Sequence, residues 1–148
     1  IIDVAFGDHQ VAPITAQNIA RTLKMPIYKP TLSATSAPLG IQPFWFWNLP
    51  GIRKFPYEGS ALVFWDSGTM APPSGNITPI MSERWIAECS GENAGNADSA
   101  LCADPHEDPR RQPAVMKQKL AFFQPKGKVT NVCAEQACVS TPSDELGY

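Results

Sequence analysis

"IIDVAFGDHQVAPITAQNIARTLK", residues 1–24, is the stretch whose reading decides the fold. Its first six residues are almost all apolar, with two isoleucines, a valine and a phenylalanine, and Gly7 punctuates them as it would the end of a buried strand. An acid, a histidine and a glutamine follow at once, the polar tip of that strand. Then "ITAQNIARTLK" spaces Ile14, Ile19, Ala20 and Leu23 near the helical period, with Thr15 as candidate N-cap and Pro26 as the stop. The order is strand, polar loop, helix.

The same alternation continues downstream. "SALVFW", 60–65, is an apolar run short enough for a buried strand, closed by Asp66-Ser67-Gly68. "QPAVMKQKLAFFQPKG", 112–127, places Pro113 at a first helical position, sets Met116, Leu120 and Phe123 on one stripe, and has Pro125 and Gly127 past its end. "KVTNVC", 128–133, reads as a last short strand. Strands alternating with helices predict an α/β fold with a mostly parallel sheet, flanking helices and long loops. Polar function in such sheets collects where loops leave the carboxyl ends of the strands, and Asp8 and His9 sit at such an end.

Composition narrows the class. The chain has 148 residues, 43% of them apolar, which suits a single packed unit without an internal domain boundary. A formal net charge of -2 with interspersed signs provides no basic stripe for phosphates, so nucleic acid is excluded as an expected partner, and no apolar run approaches the roughly 18 to 20 residues of a membrane span. A small-molecule partner is expected to be apolar or neutral. The 15 prolines are about twice the usual usage and gather in segments such as Lys29 to Pro56, which read as long ordered loops. The first residue is not methionine, and we read Ile1 as the product of processing of a longer precursor.

The four cysteines form two local groups, Cys89 and Cys102 around "SGENAGNADSAL" and Cys133 and Cys138 around "AEQA". Local pairing, 89 with 102 and 133 with 138, is the economical choice among the connectivities that four cysteines permit. The spacings are not C-x2-C and the histidines lie elsewhere, which argues against a zinc site; neither metal nor cofactor is expected. Two disulfides imply an oxidising compartment, hence a secreted, periplasmic or cell-surface protein.

Two further stretches carry candidate chemistry. "DPHEDPRRQP", 104–113, puts His106 on a loop at a helix start, nearly a chain length from His9. "IQPFWFWNLPGIRKFPY", 41–57, has aromatics at Phe44, Trp45, Phe46, Trp47 and Phe55 with neither helical nor strand period. Such a loop either walls an acyl-binding cleft or packs against another polypeptide, since so much aromatic area is rarely left in water. "NIT", 76–78, is a glycosylation sequon but is followed by Pro79 and reads as ordinary loop.

"VAFGDHQVAP", then "ALVFWDSG", then "DPHEDPRRQPAVMKQKLAFF", then "GKVTNVC" resembles the C-terminal half of bacterial secreted α/β-hydrolase-fold proteins of the serine esterase and lipase type. The resemblance implies that Asp8, in a G-D-x-x-V turn, takes the place of the triad acid and His106 that of the triad histidine. It implies a carboxylic ester hydrolase, with Phe44, Trp45, Phe46 and Trp47 as substrate-binding residues. One departure matters: no G-x-S-x-G elbow occurs anywhere in the chain. The serine is therefore expected on a separate upstream chain of the same precursor, which would complete the fold around this partial domain, residues 1–148. The competing readings are local. Asp8 could cap the following helix, His106 could cap its own helix or pair with Glu107, and the whole could be a non-catalytic relative kept as a binding or assembly module. His9, next to the acid, is expected to point to the opposite side, at the surface or behind the site.

Overall fold

The computed structural model describes residues 1–33, 46–73, 77–93 and 99–141. Its centre is a parallel sheet of three strands in the order β1 (Ile2–Ala5), β2 (Leu62–Asp66), β3 (Cys138–Val139). β1 runs beside β2 in the register Ile2 to Leu62 through Ala5 to Trp65, and β2 beside β3 with Trp65 opposite Cys138. Parallel neighbours need long crossovers. The first carries α1 (Ile14–Thr22); the second carries α2 (Glu83–Cys89), α3 (Ser99–Cys102), α4 (Asp108–Arg111) and α5 (Pro113–Phe122). The class is α/β with a parallel sheet, as the alternation of elements predicts.

Every residue of β2 is buried, because a central parallel strand is covered on both faces. Its period of two divides the core. Leu62 and Phe64 face one layer with Val4, Phe6, Ala20 and Ile27, where α1 packs through Ala16 and Ala20. Val63 and Trp65 face the other with Tyr28, Val115 and Cys138, where α5 packs through Ala114 and Val115. On that second face Asp3 accepts the Trp65 indole N–H at 2.9 Å and lies 3.6 Å from the Lys119 ammonium. Burial nonetheless pushes the Asp3 carboxyl above its ordinary value, against the pull of Trp65 and Lys119.

Cys89 is bonded to Cys102 and Cys133 to Cys138, the local pairing that the sequence groups predict. The first bridge joins the last residues of α2 and α3. The second fastens the start of β3 to the turn before it. Among the described residues no helix is long and apolar enough to cross a membrane.

Three expectations are corrected. Met116, Leu120 and Phe123 form an exposed stripe, and α5 instead buries Val115 and Gln118. The bulk of Trp65 already fills the space above the sheet, so the helix approaches on its smaller side chains, with Gln118 donating to the Thr130 carbonyl at 3.1 Å. The last strand is not in 128–133, where Val129 makes only an antiparallel bridge to Tyr57, but at Cys138–Val139, beyond the second disulfide's turn. α1 has Pro13 rather than Thr15 at its N-cap, and it buries Gln17 and Ala20 while Ile19 and Leu23 face outward.

Gly7 determines how the chain leaves β1. Its φ is +83°, and a Cβ there would overlap the Thr69 hydroxyl and lie 2.7 Å from the Met70 carbonyl oxygen. That close approach exists because the Thr69 hydroxyl donates to the Phe6 carbonyl at 3.0 Å. Only glycine fits both the angle and the space. Gly7→Ala should therefore destabilise the chain by about 2–5 kcal/mol, the sum of backbone strain and overpacking. Denaturant titration checks this: the midpoint should fall with the slope unchanged, and an unchanged midpoint would refute the constraint.

Candidate active site

The turn at Gly7 delivers Asp8 to the carboxyl edge of the sheet. Asp8 Oδ1 accepts the backbone amides of Gln10 at 2.7 Å and Val11 at 2.9 Å, so the carboxylate folds its own loop around itself. Its Oδ2 lies 2.9 Å from Nδ1 of His106, across 98 residues of sequence. Both side chains are largely buried, 10% exposed for Asp8 and 18% for His106. His106 sits in the 3-10 turn Pro105–Glu107, which Asp104 caps by accepting the His106 amide at 3.1 Å.

The partners of the imidazole assign its tautomer. Nε2 lies 3.3 Å from the Arg110 guanidinium, which can only donate, so in the neutral ring Nε2 accepts and Nδ1 carries the proton toward Asp8. Arg110 is itself held by Glu107 at 2.7 Å, and its side chain is 61% exposed. Glu107 Oε1 is 3.8 Å from Nε2. An ionised acceptor behind Nδ1 and a lone pair on Nε2 are what a histidine needs to act as a general base.

A groove of about 300 Å³ runs beside this pair, lined by all of β1, by Val11 and Ile19, and by Asp8, His106 and Arg110. β1 pairs with β2 on one side, and among the described residues no strand occupies its other edge. The groove therefore follows an open sheet edge to the acid and the histidine.

The aromatic candidates divide. Phe44 and Trp45 lie outside the described residues. Phe46 packs edge-on against Phe64, ring centroids 5.2 Å apart, and belongs to the core rather than to the groove. Trp47 is exposed, and its carbonyl accepts the Arg21 Nε–H at 2.9 Å. Neither lines the groove beside Asp8 and His106.

His9 is not at the surface. It is 8% exposed, its ring stands edge-on to Trp85 of α2 at 5.7 Å, and its Nε2 is buried without a hydrogen-bond partner. Burial lowers its pKa from 6.5, outweighing the attraction of Asp104 and Asp8. Asp104 was missed by sequence reasoning. It accepts the His9 amide at 3.2 Å and the Gln10 side-chain amide at 2.9 Å in addition to the His106 amide. Burial pushes the Asp104 carboxyl up, but these hydrogen bonds hold it below its ordinary value. The one sequence signal was its place two residues before His106, the spacing of a capping acid.

The chain matches no protein-family model, no curated protein and no solved structure.

The burial of His9 fixes a pH dependence. Its folded pKa lies below the unfolded value of 6.5, so between the two the unfolded chain binds the extra proton and stability rises with pH. The stabilising effect of the neutral ring is lost as pH falls below that unfolded value. Thermal melts from about pH 7 to about pH 5 should show a falling Tm, and His9→Phe, which keeps a ring against Trp85, should flatten that fall. An equal fall in the variant would place the titration elsewhere.

Proposed function

We propose that this chain supplies the acid and the histidine of a Ser-Asp-His triad in a two-chain secreted serine hydrolase acting on an ester or related acyl bond. The observation that carries the reading is the 2.9 Å contact of Asp8 with His106 Nδ1 at the carboxyl edge of a parallel sheet. His106 Nε2 takes the serine proton during attack and returns it to the leaving group, while Asp8 holds the ring's tautomer and stabilises the imidazolium. The serine, and the amides that stabilise the tetrahedral oxyanion, belong to the upstream chain of the precursor. The open edge of β1 is where an added strand would bring them beside Nε2, completing an α/β-hydrolase fold. Arg110 stands where the serine hydroxyl would approach, and its exposed side chain has room to swing aside into solvent. The apolar groove residues favour a neutral or apolar acyl group. Two disulfides fit secretion to an oxidising compartment.

The same Arg110 supports a second reading. A guanidinium seated on Nε2 suits a non-catalytic relative whose groove binds or assembles, with the acid and histidine retained as a structural pair.

Native material, carrying whatever chain accompanies it, decides between the two. A fluorophosphonate probe should label a serine on the accompanying chain, and p-nitrophenyl esters should be turned over. His106→Ala should lower turnover by at least about 1000-fold and Asp8→Asn by roughly 1000- to 10000-fold, with the fold kept. No labelled serine on any accompanying chain would reject the hydrolase and leave the binding module.

A further inference from the structure

Asp8 and His106 ride on segments that belong to different crossovers, and neither segment is part of a strand or a long helix. A 2.9 Å contact between two such loops needs something to hold their separation. Asp104 is built for that task. Its Oδ1 receives the backbone amide of His9 at 3.2 Å from one loop and that of His106 at 3.1 Å from the other, so one oxygen fixes the residues beside and within the pair. Its Oδ2 receives the Gln10 side-chain amide at 2.9 Å, a second tie to the loop that Asp8 folds around itself.

We infer that Asp104 is a positioning residue for the Asp8–His106 pair: a carboxylate strut that sets the distance between the acid loop and the histidine turn and so holds His106 in its Nδ1–H form. The inference concerns the same pair as the hydrolase reading and rests on that reading for its catalytic consequence, but the geometry it explains is independent of any activity. A cap alone would need only the His106 amide. The bonds to His9 and Gln10 lie outside capping and run across 95 and 94 residues of sequence. Charge supports the choice of an acid: two backbone donors converge on one oxygen, and an ionised acceptor makes stronger hydrogen bonds than a neutral one.

The side chains that can replace Asp104 separate strut from cap. Asp104→Ser keeps a capping oxygen for the His106 amide but is too short to reach the acid loop as well. Asp104→Asn keeps the oxygen shared by the two amides, and its NH2 group can bond a flipped Gln10 amide. The measurement is the 15N imidazole spectrum of the histidine-labelled full chain at mildly alkaline pH, with any accompanying chain present. In the unaltered protein His106 should show the Nδ1–H tautomer with a slowly exchanging ring proton. In Asp104→Ser the two tautomers should average, with ring-proton exchange faster by about tenfold, the order set by losing one hydrogen bond or more between the loops. Asp104→Asn should restore the single tautomer. A fixed tautomer in Asp104→Ser would reduce Asp104 to a cap and overturn the inference, as would an averaged tautomer in the unaltered chain. Should Asp104→Ser fail to fold, amide exchange in the unaltered protein decides. Common protection of the His9 and His106 amides supports the strut, and free exchange of either overturns it. Loss of the hydrolase reading, through a missing serine, would leave these signals unchanged, so the two failures are distinguishable.

Discussion

β2 buries both of its faces, and that constraint organises the rest of the molecule. A strand of Leu, Val, Phe, Trp and Asp cannot present either side to water, so a layer must lie above it and another below. The parallel partners on either side force the chain to return over one face and then the other, and helices α1 and α5 are those returns. Because both crossovers begin at the same end of the sheet, the residues just after β1 and those of the long segment after β2 emerge at one edge. Asp8 and the turn bearing His106 become neighbours by topology before any specific contact is made.

Topology brings the two loops near each other, and electrostatics then determines how they meet. Asp8, Asp104 and Glu107 place three carboxyl groups within a few residues of two imidazoles and one guanidinium. Repulsion is avoided because each acid has its own donors: backbone amides for Asp8, backbone and Gln10 amides for Asp104, and Arg110 for Glu107. The two histidines consequently differ. His106 is gripped by a carboxylate on one nitrogen and met by the Arg110 guanidinium on the other, at the lining of the groove. His9 gives only its backbone amide to the acids, and its ring is turned into the protein against Trp85. Adjacent chain positions 8 and 9 thus serve the site and its support, respectively. The disulfide at the end of α2 anchors the element that carries Trp85.

How much of this was legible in the sequence depended on whether the signal was local. β1, the polar loop after Gly7, β2 and the helix opened by Pro113 follow from composition and punctuation that neighbouring residues carry. The pairing of Cys89 with Cys102 and of Cys133 with Cys138 followed from short loops. What escaped was set by partners far along the chain. The stripe of Met116, Leu120 and Phe123 has good helical spacing, yet the volume already taken by Trp65 turns the helix to Ala114, Val115 and Gln118. For His9 the surface and the position behind the site stayed open, because nothing near it announces Trp85, whose ring goes with the buried alternative. Asp104 drew no reading, because its acceptor role toward residues 9 and 10 exists only once the sheet is formed.

The open edge of β1 is where these physical arguments converge. An edge strand ordinarily carries a charge, a proline or a bulge to discourage pairing. β1 has Ile2, Val4 and Ala5, with a single acid, Asp3, whose side chain is spent on Trp65 and Lys119. Nothing in that set discourages a further strand. The groove beside it is walled by Val11 and Ile19, and both residues are among the large apolar side chains that remain exposed. An apolar wall, a β1 edge that no strand occupies among the described residues and a histidine lone pair thus share one surface. A strand added there in parallel would pair with that edge, cover the wall and deliver its own carboxyl-end loop to Nε2 of His106. Arg110, lying on that nitrogen, is then the group such a loop would have to displace.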